Sequence, residues 1–275
     1  MNKITLVPVG GLANRMRAVA GAFNLASQTN GDLRIIWFRD WALRCPFSEL
    51  FQPIAYPNVI LKEADAFDLL RFDRPRNRNA WIPKAFQKIL FDKVIYEKEV
   101  EFLIRDNFDF ASWAQNANVY MASYLVFGEC HDNLYRLLFK PVKSIGEVVE
   151  KRKGSFSDYT VGIHIRRTDN LRSIENSPLE LFYEKMDGEI EQNPNVKFYL
   201  ATDSEKDKNL LLQRYGERIL VSPKEATRNS VEGIKEAVAD LYTLASTQKI
   251  YGSFASSFSE MAAQLGGQPI QILKK

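Results

Sequence analysis

Short apolar segments alternate with amphipathic helical segments through the second half of the chain. The strand-like segments are Thr160–Ile165, Val196–Ala201, Arg218–Val221, Lys249–Gly252 and Pro269–Ile272. Helical spacing separates them in Pro178–Ile190, Ser204–Tyr215, Ile234–Ser246 and Phe258–Leu265. Strands that alternate with helices of this length are joined by right-handed crossovers into a parallel sheet. The pattern therefore predicts an α/β domain, with Ser177 capping the first of these helices.

The first half starts with the same alternation and then loses it. Ile4–Val7 and Leu33–Trp37 are predicted strands that flank a helix over Asn14–Gln28, and Asn118–Ala122 is a further strand. Between residues 40 and 117 the periodicity is weak. A chain of 275 residues is long enough for two domains. We therefore expect two α/β domains, residues 1–155 and 156–275, with the linker within Lys140–Tyr159.

The composition argues against two classes of function, nucleic-acid binding and metal binding. Lys and Arg number 37 against 34 Asp and Glu, a net charge of +3, so the strong positive field typical of nucleic-acid binders is absent. The two cysteines and two histidines, Cys45, Cys130, His131 and His164, lack metal-ligand spacing. We expect no metal and no cofactor, and two buried free thiols in a reducing cytoplasm. No signal-peptide or membrane-span pattern is visible.

The first candidate site is the turn after the first strand, where Gly10 and Gly11 precede a helix. Glycines allow a sharp turn and close approach of a ligand, and a helix N-terminus offers unpaired N–H groups to an anion. Asn14 either caps this helix or faces a substrate together with Arg15. The second reading makes Gly11, Asn14 and Arg15 ligand contacts.

The second candidate is HIRRTD, His164–Asp169, at the carboxyl end of a predicted strand. Ligands bind outside the carboxyl ends of strands in open α/β sheets. Strand alternation places His164 and Arg166 on one face and Arg167 on the other. One arginine can then bind a ligand, since the planar guanidinium suits phosphate. The other stabilises the fold by pairing with Asp169.

Two later strand ends carry polar groups as well. In YLATDS, Thr202 or Asp203 either caps the next helix or lines a pocket. In YGSFASSFSE, Ser256 and Ser257 lie at the entry to a helix, where hydroxyls and free N–H groups form a phosphate cradle. Asp240, on an otherwise apolar helix, needs a donor from protein or ligand. Together these groups suit a nucleoside diphosphate.

The motifs HIRRTD, YLATD and SFASSFSEMA, in this order, resemble the three motif segments of the GDP-fucose-dependent fucosyltransferase superfamily. This superfamily includes α-1,6-, α-1,2- and protein O-fucosyltransferases. GGLANRM near the start resembles its N-terminal glycine–asparagine segment, whereas residues 40–117 match nothing in it. The resemblance implies a GT-B fold of two facing Rossmann-like domains, with the donor in the C-terminal one. It also implies metal-independent, inverting transfer of L-fucose from GDP-β-L-fucose.

The resemblance also implies roles for individual residues. Arg166 would bind the β-phosphate and stabilise the leaving group. Asp169 and Glu175 are the candidates for the base that deprotonates the acceptor. The implied donor contacts are His164 and Asp240 at the guanine end, Thr202 and Asp203 in the nucleotide pocket, Ser256 and Ser257 on phosphate, and Gly11 and Asn14 near the sugar.

Two other functions remain open at this point. The same fold could use another GDP-sugar such as GDP-mannose, or bind a nucleotide sugar or glycan without catalysis. The expected acceptor is a glycan or a lipid-linked saccharide. The arginine-rich stretch Arg71–Asn79 is either a solvated loop or a peripheral contact with a membrane surface. We expect a cytoplasmic protein, either free or associated with a membrane.

Overall fold

The computed structural model describes residues 2–72, 81–128, 130, 133–168, 170–222 and 229–275. The chain divides into two compact units, Met1–Lys140 and Pro141–Lys275. This division falls earlier than the predicted boundary at residue 155. The reason is that the helix Lys143–Lys153 belongs to the second unit, where Arg152 bonds to Asp240 and Glu236.

The first unit is built on a five-stranded parallel sheet in the order β3-β2-β1-β5-β4. Its strands are β1 (Lys3–Pro8), β2 (Asp32–Trp37), β3 (Val59–Glu63), β4 (Lys93–Ile95) and β5 (Asn118–Ser123). Its helices are α1 (Leu12–Gln28), α2 (Asp68–Arg71), α3 (Trp81–Leu90), α4 (Glu97–Arg105), α5 (Phe110–Ala114) and α6 (Leu134–Leu138). The chain runs outward from β1 to β3 and returns on the other side, so the strand order reverses between β1 and β5.

The second unit holds another parallel sheet of five strands, in the order β10-β9-β6-β7-β8. Its strands are β6 (Thr160–Ile165), β7 (Lys197–Thr202), β8 (Ile219–Val221), β9 (Lys249–Ser253) and β10 (Ile270–Leu273). Its helices are α7 (Lys143–Lys153), α8 (Leu171–Asn176), α9 (Leu179–Gln192), α10 (Glu205–Tyr215), α11 (Val231–Leu244) and α12 (Ser257–Gly266).

The two sheets differ in their outer strands. Counted from its own first strand, the second sheet has the order 3-2-1-4-5, as in dinucleotide-binding Rossmann folds, and the first has 3-2-1-5-4. Strand β6 lies at the centre of the second sheet and is buried along its whole length, as strands covered on both faces are, with Thr160 and His164 as its polar residues. The sequence prediction of an α/β fold is confirmed.

Several sequence-predicted elements need correction. Helix α1 begins at Leu12 with Gly11 at the N-cap position, so Asn14 lies inside the helix. Pro178, not Ser177, is the N-cap of α9. Ser204 caps α10 through a hydrogen bond from the Asp207 N–H, a position predicted for Thr202 or Asp203. Strands β3 and β4 occur where the sequence showed weak periodicity.

The structure also tests the expected free thiols and the expected lack of a membrane-spanning segment. Cys45 and Cys130 are both free, as predicted, but only Cys45 is buried. Cys130 is partly exposed, and burial raises the pKa of its thiol to about 11. None of the helices in the described ranges is long and apolar enough to cross a bilayer.

Candidate functional site

The candidate site lies at the carboxyl edge of the second sheet, where the strand order reverses between β6 and β9. In open α/β sheets this reversal opens the crevice in which ligands bind. The loops after β6, β7 and β9 meet at this edge, because Ile165 pairs with Thr202 and His164 pairs with Gly252. Three of the motifs found in the sequence are thereby brought together.

Arg166 is held at the end of β6 by the neighbouring strand. Its guanidinium lies 2.9 Å from the Asp203 carboxylate, and its side chain is 17% exposed. The same carboxylate accepts hydrogen bonds from the backbone N–H groups of Arg167 and Thr168 and from the Thr168 hydroxyl. Burial raises the pKa of Asp203, but Arg166 and these donors outweigh burial and lower it. The structure thus shows Asp203 ordering the arginine loop, a role the sequence did not suggest.

Arg167 braces the fold, as predicted for one of the two arginines. Its partner, however, is Asp207 in the first turn of α10, at 2.7 Å. The predicted partner, Asp169, lies outside the described residues. Sequence alternation correctly separated the two arginines, whereas the bracing carboxylate comes from helix α10.

His164 is buried beneath the site. Its ring stacks on Phe258 in the first turn of α12, with 5.0 Å between the ring centroids. Burial, reinforced by the charge of Arg166, lowers its pKa from 6.5 to about 3. His164 is therefore neutral at physiological pH, and its buried Nδ1 has no hydrogen-bond partner among the described residues. A neutral imidazole can both donate and accept hydrogen bonds.

The loop between β9 and α12 lies directly beside Arg166. The Ser253 hydroxyl accepts a hydrogen bond from the Arg166 N–H at 3.1 Å and contacts the His164 carbonyl. Ser256 is the N-cap residue of α12, yet its side chain makes no capping hydrogen bond. Ser257 begins the helix. The positive end of the α12 dipole thus lies at the crevice beside Arg166, an arrangement that suits an anion.

The segment 170–177 fixes this loop in place, which the sequence did not reveal. Asn170 donates a hydrogen bond to the Ala255 carbonyl, and the Ser177 hydroxyl accepts one from the Phe254 N–H. Ser177 in turn donates to the Leu273 carbonyl of β10. Ala255 has a φ of 54°, an unfavourable conformation for a residue with a Cβ. These contacts hold the loop in its strained conformation. They join residues that are far apart in sequence, so only the folded structure reveals them.

Asp240 lies in a separate buried network. It accepts hydrogen bonds from Arg152 at 3.0 Å and from the Tyr199 hydroxyl at 2.7 Å, and Arg152 also bonds to Glu236 and Ser222. Burial raises the pKa of Asp240 to about 7 despite the Arg152 charge. The donors that its sequence position required are therefore protein groups, Arg152 and Tyr199.

The remaining candidates of the second unit are less constrained. The Thr202 hydroxyl accepts a hydrogen bond from the Ser204 N–H at the edge of the crevice. Glu175 is exposed on α8. Among the residues that the structure describes, no three His, Cys, Asp or Glu side chains form a group that could hold a metal.

In the first unit, the loop after β1 flanks the reversal of strand order beside β5. Gly10 has a φ of 84°, a left-handed conformation that favours glycine, and a Cβ there would lie 3.1 Å from the Asn14 side-chain nitrogen. No atom lies within 4 Å of the position where a Gly11 Cβ would be. The half-buried Asn14 lies over Gly10, so Gly11 and Asn14 share one end of the sheet.

Arg15 does not face a ligand, so that prediction is wrong. The side chain is 0% exposed and donates to the Gly10 and Phe38 carbonyls. It also pairs with Asp40 at 2.8 Å. Burial lowers its pKa to about 10, and Asp40 opposes this effect. Arg15 therefore fixes the Gly10–Gly11 loop from the interior.

Several solved structures with this architecture are fucosyltransferases. NodZ from Bradyrhizobium is 19% identical, with a TM-score of 0.66 over 95% of this chain and 92% of that chain. A mutant of Arabidopsis thaliana FUT1 in complex with GDP is 14% identical, with a TM-score of 0.63 over 98% and 70% of the two chains. POFUT1 in complex with GDP is 12% identical, with a TM-score of 0.59 over 99% and 98%.

This chain has their GT-B fold. No family model and no curated protein sequence matches it. One NodZ structure was soaked with GDP-fucose, at 20% identity to this chain. The fold expectation drawn from the motifs is thus confirmed.

Proposed function

We propose that this protein transfers L-fucose from GDP-β-L-fucose to a hydroxyl of a glycan or glycoconjugate, with inversion and without a metal. One observation carries the proposal. Arg166 and the N-terminus of α12 lie side by side where the strand order of a Rossmann-type sheet reverses. Solved structures of the same fold are fucosyltransferases that were crystallised with GDP or soaked with GDP-fucose.

The donor diphosphate binds between Arg166 and the entry to α12. The guanidinium contacts the β-phosphate, while Ser256, Ser257 and the first N–H groups of the helix hold phosphate oxygens. Neutral His164, stacked under the helix entry, contributes a hydrogen bond to the nucleoside. Thr202 lines the crevice. From the first unit, Gly11 and Asn14 are the candidates for contact with the donor.

In the chemical step, the acceptor oxygen forms a bond to C1 of fucose. The bond from C1 to the β-phosphate oxygen breaks, and GDP leaves with the electron pair. Negative charge therefore grows on the diphosphate as the sugar becomes oxocarbenium-like. A fixed guanidinium and helix N–H groups aimed at this charge lower the barrier, and loss of one such donor costs roughly 100–1,000-fold in turnover. Arg166 meets this requirement because Asp203 orients it.

A base must take the proton from the acceptor hydroxyl. The two candidates from the sequence are Asp169, outside the described residues, and Glu175, which is exposed on α8. Glu175→Gln and Asp169→Asn distinguish them, because replacement of the base lowers turnover and leaves GDP affinity unchanged.

We further propose a cytoplasmic location and an acceptor that is a glycan or a lipid-linked saccharide. The two free cysteines are typical of a reducing compartment. Of the sequence stretch Arg71–Asn79, proposed as a peripheral membrane contact, only Arg71 and Phe72 lie within the described residues.

The deciding experiment is isothermal titration in EDTA with GDP, GDP-fucose, GDP-mannose and UDP. We expect binding of GDP and GDP-fucose, no binding of UDP, and loss of GDP affinity in Arg166→Ala. Arg214→Ala, an exposed arginine of the same unit that pairs with Asp187, is the matched control and keeps full affinity. Preference for GDP-mannose would assign another GDP-sugar. Binding of GDP-fucose without hydrolysis or transfer would indicate a silent binder, and failure to bind any guanine nucleotide would contradict the proposal.

A further inference from the structure

Helix α3 exposes its apolar side. On a helical projection, Ile82, Phe86, Ile89 and Leu90 lie within an arc of about 100°, and Gln87 lies outside this arc, about 160° from Ile89. In an ordinary surface helix, the apolar arc would pack on the core. Here Gln87 is 0% exposed, whereas Ile89 is 81% exposed.

Helix α2 adds further apolar side chains. Phe67, at its N-cap position, is 67% exposed, and Leu70 is also largely exposed. We call the exposed side chains of Phe67, Leu70, Phe86, Ile89 and Leu90 the α2–α3 face. Single exposed apolar residues are ordinary, but a concentration of five on two neighbouring helices is typical of an interaction surface.

The orientation of these helices is fixed by packing. Phe72 and Phe91 contact each other and Tyr120 of β5 in the core of the first unit. Gln87 donates a hydrogen bond to the Arg71 carbonyl, which joins α3 to the end of α2. The aromatic core and this bond place the polar Gln87 inside. Ile89, on the far side of the helix, therefore faces outward, and Phe86 and Leu90 are exposed beside it.

The exposed charges on the two helices are all positive. Arg71, Lys84 and Lys88 are exposed, with Lys84 lying over the Tyr96 ring. Asp68 is the one acidic residue in α2 and α3, and it is fully buried and paired with Lys62. Two exposed carboxylates flank the helices: Asp65 pairs with Lys62, and Asp92 accepts a hydrogen bond from the Asn118 N–H. The three basic residues of the helices favour a partner that is apolar and carries negative charge at its rim.

We propose that the α2–α3 face docks on an anionic lipid bilayer. Apolar side chains would enter the boundary between headgroups and acyl chains, and the lysines and Arg71 would contact the anionic headgroups. A second copy of the chain fits less well, since a two-fold interface would bring the same basic residues together. The inference uses contacts of the first unit alone and does not depend on the proposed transferase activity.

Flotation with vesicles tests the proposal. We expect the protein to partition onto vesicles of phosphatidylglycerol and phosphatidylcholine, and not onto phosphatidylcholine alone. Phe86→Gln/Ile89→Gln lowers the partition coefficient by roughly tenfold or more, because two buried apolar groups are lost. Arg71→Glu/Lys88→Glu lowers the partition coefficient by a similar factor. High salt should lower the partitioning of the wild type in the same way, because it screens the attraction to anionic headgroups.

Matched controls come from other exposed positions. Leu137→Gln on α6 and Lys143→Glu on α7 keep wild-type partitioning. The thermal midpoint and GDP titration of every variant check that folding is intact, and the GDP titration separately tests the proposed function. Equal partitioning of Phe86→Gln/Ile89→Gln and wild type would overturn the proposal. So would absence of binding to anionic vesicles, or a dimer in light scattering that Phe86→Gln/Ile89→Gln dissociates.

Discussion

Asp203 and Arg166 form an ion pair across two neighbouring central strands, with 2.9 Å between the carboxylate and the guanidinium. The same carboxylate orders the backbone of the loop that carries the arginine. One acidic residue therefore sets both the direction of the arginine and the shape of its loop.

Asp203→Asn keeps the size of the side chain and removes its charge. We expect turnover to fall by roughly 10–100-fold, because a misdirected arginine no longer matches the charge on the leaving GDP. Steady-state kinetics and GDP titration, with a thermal melt as the folding check, measure the effect. Unchanged turnover with an intact fold would show that Arg166 needs no such partner.

Arg15→Met should destabilise the first unit by about 3–5 kcal/mol, since Asp40 would remain buried without its partner. Urea unfolding measures the loss. Arg15→Met/Asp40→Asn should recover part of the stability, because the side-chain oxygen of Asn can still accept from the N–H groups of Ala42 and Leu43 without a buried charge. A double variant no more stable than the single one would show that the uncompensated charge is not the cause.

Ser177→Ala should weaken GDP binding, because the Phe254 N–H loses its acceptor and the strained loop at Ala255 loses a restraint. The expected cost to stability is about 1–3 kcal/mol, as for a hydrogen-bonding group left unsatisfied in a protein interior. Ser173→Ala is the matched control: Ser173 is also buried, and its hydroxyl has no partner among the described residues. If both variants bind GDP equally well, Ser177 does not position the loop.

His164 should make stability depend on pH. Its folded pKa of about 3 lies below its ordinary value of 6.5, so its contribution is complete above about pH 6.5 and is lost as the pH falls toward 3. One proton gives a slope of about 1.4 kcal/mol per pH unit within this window. Asp240, with its pKa raised to about 7, titrates with the opposite effect over the same range, so the test is the difference between two curves. In urea unfolding from pH 7.5 to 5, the free energy of unfolding of the wild type relative to His164→Phe should be level above about pH 6.5 and fall with about this slope below it. Parallel curves would mean that His164 titrates normally in the folded chain.

The sequence predicted the second unit better than the first for physical reasons. Strand β6 is buried on both faces and is mostly apolar, so it was easy to recognise in the sequence. Strands β3 and β4 lie at the edges of their sheet and carry charged residues, as in VILKE and KVI, which hid them from the periodicity.

Some of the site residues could be predicted from the sequence, and others could not. Position after a strand was enough to find Arg166, Asp203 and Ser256 as candidates. It did not show that Arg15 would meet Asp40, since the two are 25 positions apart in sequence. Nor could it identify Ser177 as a support for the loop after β9, because that contact joins residues 77 positions apart. Local pattern identified strand ends, whereas the partners of buried charges depend on the complete fold.

The internal bonds of Arg15 also affect the thermodynamics of binding. Because this side chain holds the Gly10 carbonyl from within the core, the backbone of the glycine loop is ordered by folding itself. Its conformational entropy is lost when the chain folds, not when a ligand arrives. A ligand that contacts Gly11 therefore meets a preorganised surface, and its affinity is not reduced by a need to order that loop.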